Sequence, residues 1–139
     1  MTESGARGML DTSTVILLGR LSDPSVLPED SVISAITVAE LSVGPHVART
    51  TKERVARQAH LQQAESDFEA IPFGRDAASA FGRVAASLRA SGRKPAARAY
   101  DALIAASALA ENLPIYTCNP DDFDGIDGLE VHAVPHPDH

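Results

Sequence analysis

A carboxylate inside an apolar helix is the feature that most constrains the fold of this chain. Residues 98–124 read RAYDALIAASALAENLPIYTCNPDDFD, and the first half is alanine-rich and mostly apolar, with one carboxylate, Asp101. The sequence therefore predicts a largely buried helix that begins near Pro95. Burying an anion in such a helix is costly unless a charge, a metal or hydrogen-bond donors compensate it. The fold must bring a compensating group to Asp101.

The segments around this helix predict an α/β fold. The helix is expected to end at 112–114, and the apolar residues 115–117 predict a buried strand that leads into an acidic turn at 119–122. Strands and helices alternate elsewhere: we predict strands at 8–11, 31–36, 70–73 and 128–134, and helices at 14–21, from 37, at 51–69 and at 76–89. This alternation is typical of a three-layer α/β/α domain around a mainly parallel sheet of about four to five strands.

The boundaries of two regions rest on specific residues. Thr37 and Glu40 have the spacing of a capping box, which predicts a helix start at Thr37. The helix is expected to falter at Gly44-Pro45, because proline disfavours helical backbone in the residue before it. Residues 1–139 are expected to form a single domain, with a flexible leader at 1–7 and a polar tail at 135–139.

Composition limits the classes of function. The single cysteine, Cys118, excludes an intramolecular disulfide and suits a reducing cytoplasm. No apolar run approaches the ~18–20 residues that cross a bilayer, so we predict a soluble cytoplasmic protein with no membrane contact. The absence of tryptophan and the 4% aromatic content argue against a base-stacking platform for single strands.

The charge is unevenly distributed along the chain. Residues 49–98 contain ten basic and five acidic side chains, whereas residues 99–139 contain eight acidic side chains and neither lysine nor arginine. The acidic average argues against bulk affinity for nucleic acid. The cluster of Arg89, Arg93, Lys94 and Arg98 fits RNA phosphates, but it also fits ordinary surface solvation.

Four carboxylates are expected to meet at one edge of the sheet. Ligands of open α/β sheets bind beyond the carboxyl ends of the strands. Asp11 and Asp122 follow two predicted strands, Glu40 lies in the helix after a third, and Asp101 lies early in its own helix. Asn119 and Asp121 are further candidates in the acidic turn. Taken singly, the carboxylates other than Asp101 also fit structural roles, as a helix cap, a capping box and an Asx turn.

Together, these carboxylates indicate a metal site. Anions in one cleft repel each other and raise each other's pKa values, and a hard divalent cation relieves that repulsion. Mg²⁺ and Mn²⁺ suit carboxylate and water ligands, and such sites promote phosphodiester hydrolysis. A receiver domain would require a lysine near the last strand, and no lysine follows Lys94. A haloacid-dehalogenase-type phosphatase would require a second aspartate at the position of Ser13.

The ordered motifs of the chain resemble those of a known family. They are Leu-Asp11-Thr-Ser, Ile33-Ser34-Ala-Ile-Thr-Val-Ala-Glu40-Leu, Asp101-Ala-Leu-Ile-Ala-Ala and Thr117-Cys-Asn119-Pro-Asp-Asp122-Phe123. Over roughly Met9 to Val134 they resemble PIN-domain ribonucleases, and most of all the VapC toxins of bacterial toxin–antitoxin pairs. The resemblance implies a PIN-like fold, with the first three acidic positions at Asp11, Glu40 and Asp101. The fourth position falls on Asn119 or Asp122.

The resemblance also implies an activity and partners. It implies an endoribonuclease that depends on Mg²⁺ or Mn²⁺, acts on tRNA, rRNA or mRNA, forms a homodimer and is held inactive by a cognate antitoxin. The alternative is a catalytically weak PIN-like module that binds RNA or protein. An apolar surface on the first helix and beyond Glu40 is expected either to receive the antitoxin or to form the core or the homodimer seam; its residues are Val15, Ile16, Leu17, Leu18, Leu21, Val43 and Val47.

Overall fold

The computed structural model describes residues 6–94 and 98–139 and contains a five-stranded sheet. The strands are β1 (Arg7–Leu10), β2 (Asp30–Ser34), β3 (Glu69–Ile71), β4 (Ile115–Thr117) and β5 (Val131–Ala133). Their order across the sheet is β3-β2-β1-β4-β5, and every neighbouring pair is parallel. At the centre, Met9 pairs with Val32 on one side and Ile115 on the other. The predicted parallel α/β sheet is confirmed.

Helices cover both faces of this sheet. They are α1 (Thr12–Leu17), α2 (Ala35–Val47), α3 (Thr51–Asp67), α4 (Arg75–Ala90) and α5 (Ala99–Ala110). Successive side chains of a strand point to opposite faces. Accordingly, Met9 packs into a core formed with α4 and α5, whereas Leu10 packs into a second core with α1, α2 and α3. This arrangement gives the three layers that the alternation predicted.

Helix α5 is buried, as the sequence predicts. Its small residues Ala102, Ala105, Ala106 and Ala108 are at most 1% exposed, which lets the helix lie close to the sheet. Ser107 is the buried polar residue of this helix, and its hydroxyl forms a hydrogen bond with Ser34 Oγ at 3.0 Å. The predicted helix start near Pro95 lies outside the described residues; α5 begins at Ala99.

Two expectations about α2 are wrong. The helix begins at Ala35, because Ser34 at the end of β2 caps it by accepting a hydrogen bond from the Ile36 N–H at 3.0 Å. It also continues through Gly44-Pro45 to Val47. Glycine has no Cβ to clash with the proline ring, so the usual restriction on the preceding residue is relaxed. Arg57 Nη1 in α3 donates a hydrogen bond to the Gly44 carbonyl at 3.1 Å. This bond gives the carbonyl a partner from outside its own helix.

Arg7, the last residue of the predicted leader, belongs to the sheet. Residues 1–5 lie outside the described part of the chain, but Arg7 opens β1 and forms ion pairs with Asp30 and Glu69 at 3.0 Å each. The arginine thus links three adjacent strands. The single domain and the polar tail at 135–139 stay predictions. Among the described residues, no helix combines the length and apolar character needed to cross a membrane.

Candidate active site

The candidate site lies at the carboxyl edge of the sheet. Strands β1 and β4 are parallel neighbours, so Asp11 after β1 and the turn after β4 emerge side by side. Helix α2 carries Glu40 in its second turn, and α5 carries Asp101 in its first turn. Burial raises the pKa of Asp101 most, and the negative charges of Asp122, Asp11 and Glu40 raise it further. The four predicted carboxylates therefore share one electrostatic environment.

Asp11 is the most enclosed of these carboxylates. Its residue is 2% exposed, and neutral donors surround both oxygens. Oδ1 accepts from the Thr14 N–H at 3.2 Å and the Thr14 hydroxyl at 2.5 Å, while Oδ2 accepts from Ser13 and Thr117 hydroxyls at 2.9 Å each. Burial raises the pKa of Asp11, and these hydrogen bonds oppose the rise. Asp11 caps the amino-terminal end of α1, which is one of the roles that the sequence predicted for it. Its charge also acts on Asp101.

The same hydroxyls connect Asp11 to the segment after β4. Thr14 Oγ1 accepts from the Cys118 N–H at 3.0 Å, and Thr117 Oγ1 accepts from the Asn119 N–H at 2.9 Å. Thr14 and Thr117 are fully buried, so these contacts are shielded from water. Cys118 is also buried, and burial raises the pKa of its thiol, which disfavours the nucleophilic thiolate. Its predicted role as a packing residue agrees with this environment.

Glu40 is held by α1 and not by a capping box. The Thr12 hydroxyl donates to Glu40 Oε1 at 2.6 Å, and Thr37 Oγ1 lies 3.0 Å from the same hydroxyl oxygen. Partial burial is the main reason that the pKa of Glu40 is raised; the Thr12 hydrogen bond lowers it, and the charge of Asp11 raises it further. Thr12 therefore orients Glu40 toward the edge that Asp11 occupies.

Asp101 has the most informative electrostatics of the site. Burial raises its pKa to about 6, with further contributions from Asp122, Asp11 and Glu40, while the positive charge of Arg98 opposes them. An ordinary aspartate has a pKa near 3.8. The helix was expected to require a compensating group for this anion, and Arg98 supplies only part of that compensation. The site thus retains an excess of negative charge that attracts cations.

The acidic turn contains the two candidates for the fourth position. Asp122 accepts from Arg98 Nη1 at 2.5 Å in an ion pair. The Asn119 amide donates to Ser13 Oγ at 3.0 Å, so Asn119 reaches Asp11 only through Ser13. Asp121 is exposed, and its carbonyl accepts from Arg93 Nη1 at 3.1 Å. Asp122 is therefore the member of this turn whose carboxylate acts on Asp101.

The carboxylates do not form a closed metal cage. Within residues 6–94 and 98–139, no three His, Cys, Asp or Glu side chains are arranged to hold a metal ion. Three of the four carboxylates are engaged by protein groups, because neutral donors bind both oxygens of Asp11, Thr12 binds Glu40 and Arg98 binds Asp122. The structure brings the predicted residues to one edge but leaves them paired with protein groups.

Several contributors were not singled out from the sequence. They are the hydroxyl residues Thr12, Thr14 and Thr117, and Arg98 in its role as the partner of Asp122. A usable signal exists for the threonines, since Thr117 ends β4, while Thr12 and Thr14 lie one and three positions after the carboxylate that follows β1. Arg98 carries no such signal, because its pairing depends on how α5 meets the turn after β4.

Comparisons with known proteins agree with this fold. The PIN domain family matches residues 9–129. Ribonuclease VapC5 of Mycobacterium tuberculosis is 38% identical over 130 residues, which cover 92% of this chain and 93% of the relative. Ribonuclease VapC of Rickettsia bellii is 31% identical over 130 residues, which cover 91% of this chain and 96% of the relative.

Similarity to a solved structure extends the same result to three dimensions. The crystal structure of VapBC-5 from Mycobacterium tuberculosis, a member of the VapBC family of toxin–antitoxin systems, matches with a TM-score of 0.80 and 38% identity. The match covers 93% of this chain and 99% of the other. With its ordered acidic motifs at the carboxyl edge of a parallel sheet, this chain belongs to the PIN-domain family, among the VapC ribonucleases.

Proposed function

We propose that this chain is a divalent-metal-dependent endoribonuclease, the toxin of a toxin–antitoxin pair. The observation that carries the proposal is the group of carboxylates around Asp101, whose pKa is raised to about 6 by burial and by three neighbouring anions. Gathering partly buried anions in one place lowers the stability of the folded protein, so the arrangement is expected to serve a function. Its relatives named as ribonucleases support RNA as the substrate.

The donor set fits Mg²⁺ or Mn²⁺. The groups that face the edge are oxygen ligands, which hard divalent cations prefer, and their summed charge is negative. Asp11, Glu40 and Asp101 would hold the ion, together with Asp122 or Asn119. When bound, such an ion lowers the pKa of a coordinated water and stabilises charge on a phosphodiester.

The protein's own residues prepare this chemistry. The donors from Thr14, Ser13 and Thr117 hold both oxygens of Asp11 in fixed positions. Thr12 holds Glu40 Oε1 in the same way. Neither carboxylate must then be ordered when RNA binds, and this preorganisation lowers the entropic cost of reaching the reactive geometry.

A cleavage assay tests the proposal. The purified chain should cut a labelled RNA in Mg²⁺ or Mn²⁺ and should stop cutting when EDTA is added. Full activity in EDTA would contradict the metal-dependent mechanism. Sequencing the 5′ ends of RNAs from cells after induced expression would identify tRNA, rRNA or mRNA as the target, and would place the activity in the cytoplasm.

One observation favours the alternative of a catalytically weak binding module. In the described part of the chain, no three carboxylates are preassembled for a metal. A module of this kind would bind labelled RNA or a protein partner and leave the RNA intact in Mn²⁺. The same assay, read for binding and for cleavage, separates the two functions.

A groove beside the acidic edge and exposed apolar side chains on α1 and α2 support an antitoxin partner. A pocket of about 170 Å³ lies next to Glu40 and Thr12; its other lining residues are Ile16, Leu41, Gly44, Arg57 and His60. Ile16 is 40% exposed, and Val43 and Val47 on α2 are more exposed still. Two residues of the predicted apolar surface are not available to a partner in this way. Val15 is buried in the core, and Leu18 packs against that core. We propose that an apolar antitoxin segment binds along Ile16, Val43 and Val47.

The antitoxin would also neutralise the site. An arginine from its chain, placed among Asp11, Glu40 and Asp101, would pair with carboxylates in the position of the cation. Co-expression with the neighbouring upstream reading frame tests this partner. Ile16→Glu should abolish co-purification, whereas Val26→Glu, at an exposed valine that is not among the residues lining this pocket, should preserve it. Co-purification with both variants would place the interface elsewhere, and the homodimer seam would then be the remaining use of this surface.

A further inference from the structure

Arg98 is the cation that the fold places at the acidic edge. It precedes the first residue of α5, three positions before Asp101, and its Nη1 lies 2.5 Å from Asp122 Oδ1. The two side chains are 41% and 33% exposed, so their ion pair is open to solvent. The charge of Arg98 also lowers the pKa of Asp101, whereas that of Asp122 raises it. One guanidinium thus compensates two carboxylates.

The ion pair marks a border between two surfaces of opposite charge. On one side are the four carboxylates; on the other, Arg98, Arg93 and Lys94 line an open depression of about 350 Å³. Arg93 is tied to the same acidic turn, since its Nη1 donates to the Asp121 carbonyl and its Nη2 lies 3.8 Å from Asp124. A nucleic-acid backbone that approached from this depression would meet arginine before it met the carboxylates.

We propose that Arg98 is an exchangeable counter-ion, which pairs with Asp122 in the absence of RNA and transfers to a backbone phosphate when RNA binds. The transfer makes Asp122 available to the divalent cation. This inference rests on the proposed function, because it takes RNA and a divalent cation as the ligands. Arg98 thereby positions the substrate, and its transfer to the phosphate completes the metal site.

The exchange is favourable for two physical reasons. A solvent-exposed ion pair contributes little to stability, so breaking it costs little. Arginine donates two parallel hydrogen bonds to a phosphate group, which replace the single contact that Arg98 makes with Asp122. Once Arg98 leaves, the repulsion between Asp122 and Asp101 is uncompensated, and the affinity of the edge for a cation rises. RNA and metal should therefore each tighten the binding of the other, as linkage requires.

Titration of Mn²⁺ into the whole chain by calorimetry tests the exchange without measuring catalysis. In the absence of RNA, Arg98→Gln should bind Mn²⁺ about two- to five-fold more tightly than the wild type, because Asp122 has lost its competitor. The matched control is Arg83→Gln, which removes the same charge from an exposed position on α4. This control should bind Mn²⁺ like the wild type. Equal affinities for the two variants would overturn the proposal.

A double-mutant cycle with Asp122→Asn separates exchange from a general effect of charge. In the Asp122→Asn background, Arg98→Gln should raise Mn²⁺ affinity much less than it does in the wild type, since the pair with Asp122 no longer exists and only the weaker effect of Arg98 on Asp101 remains. A gain of the same size in both backgrounds would show that Arg98 acts on the whole edge at a distance, and would overturn the specific exchange with Asp122.

The final arm adds a 2′-O-methyl phosphorothioate RNA, with its integrity checked on a gel after the titration. This RNA should tighten Mn²⁺ binding more in the wild type and in Arg83→Gln than in Arg98→Gln. Equal tightening in all three proteins would overturn the transfer of Arg98 to phosphate. If the wild type bound no Mn²⁺ at all, the proposed function would fail together with this inference; if it bound Mn²⁺ and Arg98→Gln changed nothing, only the inference would fail.

Discussion

The acidic edge holds its anions in two different ways. Asp11 is 2% exposed, and its oxygens accept four hydrogen bonds from neutral donors in the interior. Asp122 lies at the rim, where one arginine with a 41% exposed side chain holds it. Neutral donors that are part of the packed core cannot move without disrupting the core, whereas a long side chain in solvent changes partners readily.

This difference suggests a division of roles. The environment of Asp11 gives a fixed ligand position, and Glu40, held by Thr12, resembles it. The environment of Asp101 and Asp122 gives an adjustable position, because its compensation comes from one exposed guanidinium. Mg²⁺ requires near-ideal octahedral ligand geometry. A site with one fixed side and one adjustable side meets that requirement while remaining responsive to substrate.

The largest expected effect comes from removing a charge on either side. Asp11→Asn and Asp101→Asn should each lower RNA cleavage by about 100-fold or more, because both sides are required to hold the cation. The measurement is the single-turnover cleavage rate in Mn²⁺, with circular dichroism to confirm folding. Asp127→Asn removes the same charge from an exposed position outside the site and should cleave RNA normally. Near-normal cleavage by either site variant would remove that residue from the mechanism.

A second variant removes a hydrogen bond that holds Asp11 in place. Thr117→Val keeps the shape of a fully buried side chain but removes the donor to Asp11 and the acceptor for the Asn119 N–H. Leaving these buried groups unpaired should lower the free energy of unfolding by about 1–3 kcal/mol. Urea denaturation measures the change, and Thr117→Ser, which retains the hydroxyl, should lose less. Equal losses would indicate a packing effect in place of a hydrogen-bonding effect.

A smaller effect on cleavage is expected at the fourth ligand position, where Asp122 and Asn119 are the two candidates. Asp122 offers a charged oxygen, whereas Asn119 offers a neutral carbonyl oxygen and contacts the fixed side only through Ser13. Asp122→Ala should therefore reduce Mn²⁺-supported cleavage by about 10-fold, and Asn119→Ala by less. The comparison requires variants of equal thermal stability. The opposite ranking would assign the fourth position to Asn119.

The smallest expected effect is the pH dependence of stability in EDTA. The pKa of Asp101 is about 6 in the folded protein and near 3.8 as a free side chain, so the folded state binds more protons between these values. Stability from this group therefore falls as pH rises through that window. Asp101→Asn should be more stable than the wild type above pH 7, and the difference should shrink toward pH 4. A constant difference across this range, measured by urea denaturation, would contradict the raised pKa.

Local patterns predicted much of the fold. The small apolar residues of α5 indicated its burial, and strand β4 lies at 115–117 as the sequence predicts. One error occurred where a residue had two possible hydrogen-bond partners. Thr37 and Glu40 satisfy the spacing of a capping box, yet Ser34 caps α2 and Glu40 binds Thr12. Sequence spacing cannot rank two possible hydrogen-bond partners when one of them comes from another helix.

The sequence by itself determined the alternation of strands and helices, and with it the edge at which four carboxylates arrive. A parallel sheet places the ends of its strands together whatever the side chains between them are. Only the tertiary structure decided how each carboxylate is held. The donor to Asp11 from Thr117 comes from 106 positions away, and Arg98 reaches Asp122 across 24 positions. Such contacts depend on the packing of separate elements against each other, which no local pattern encodes.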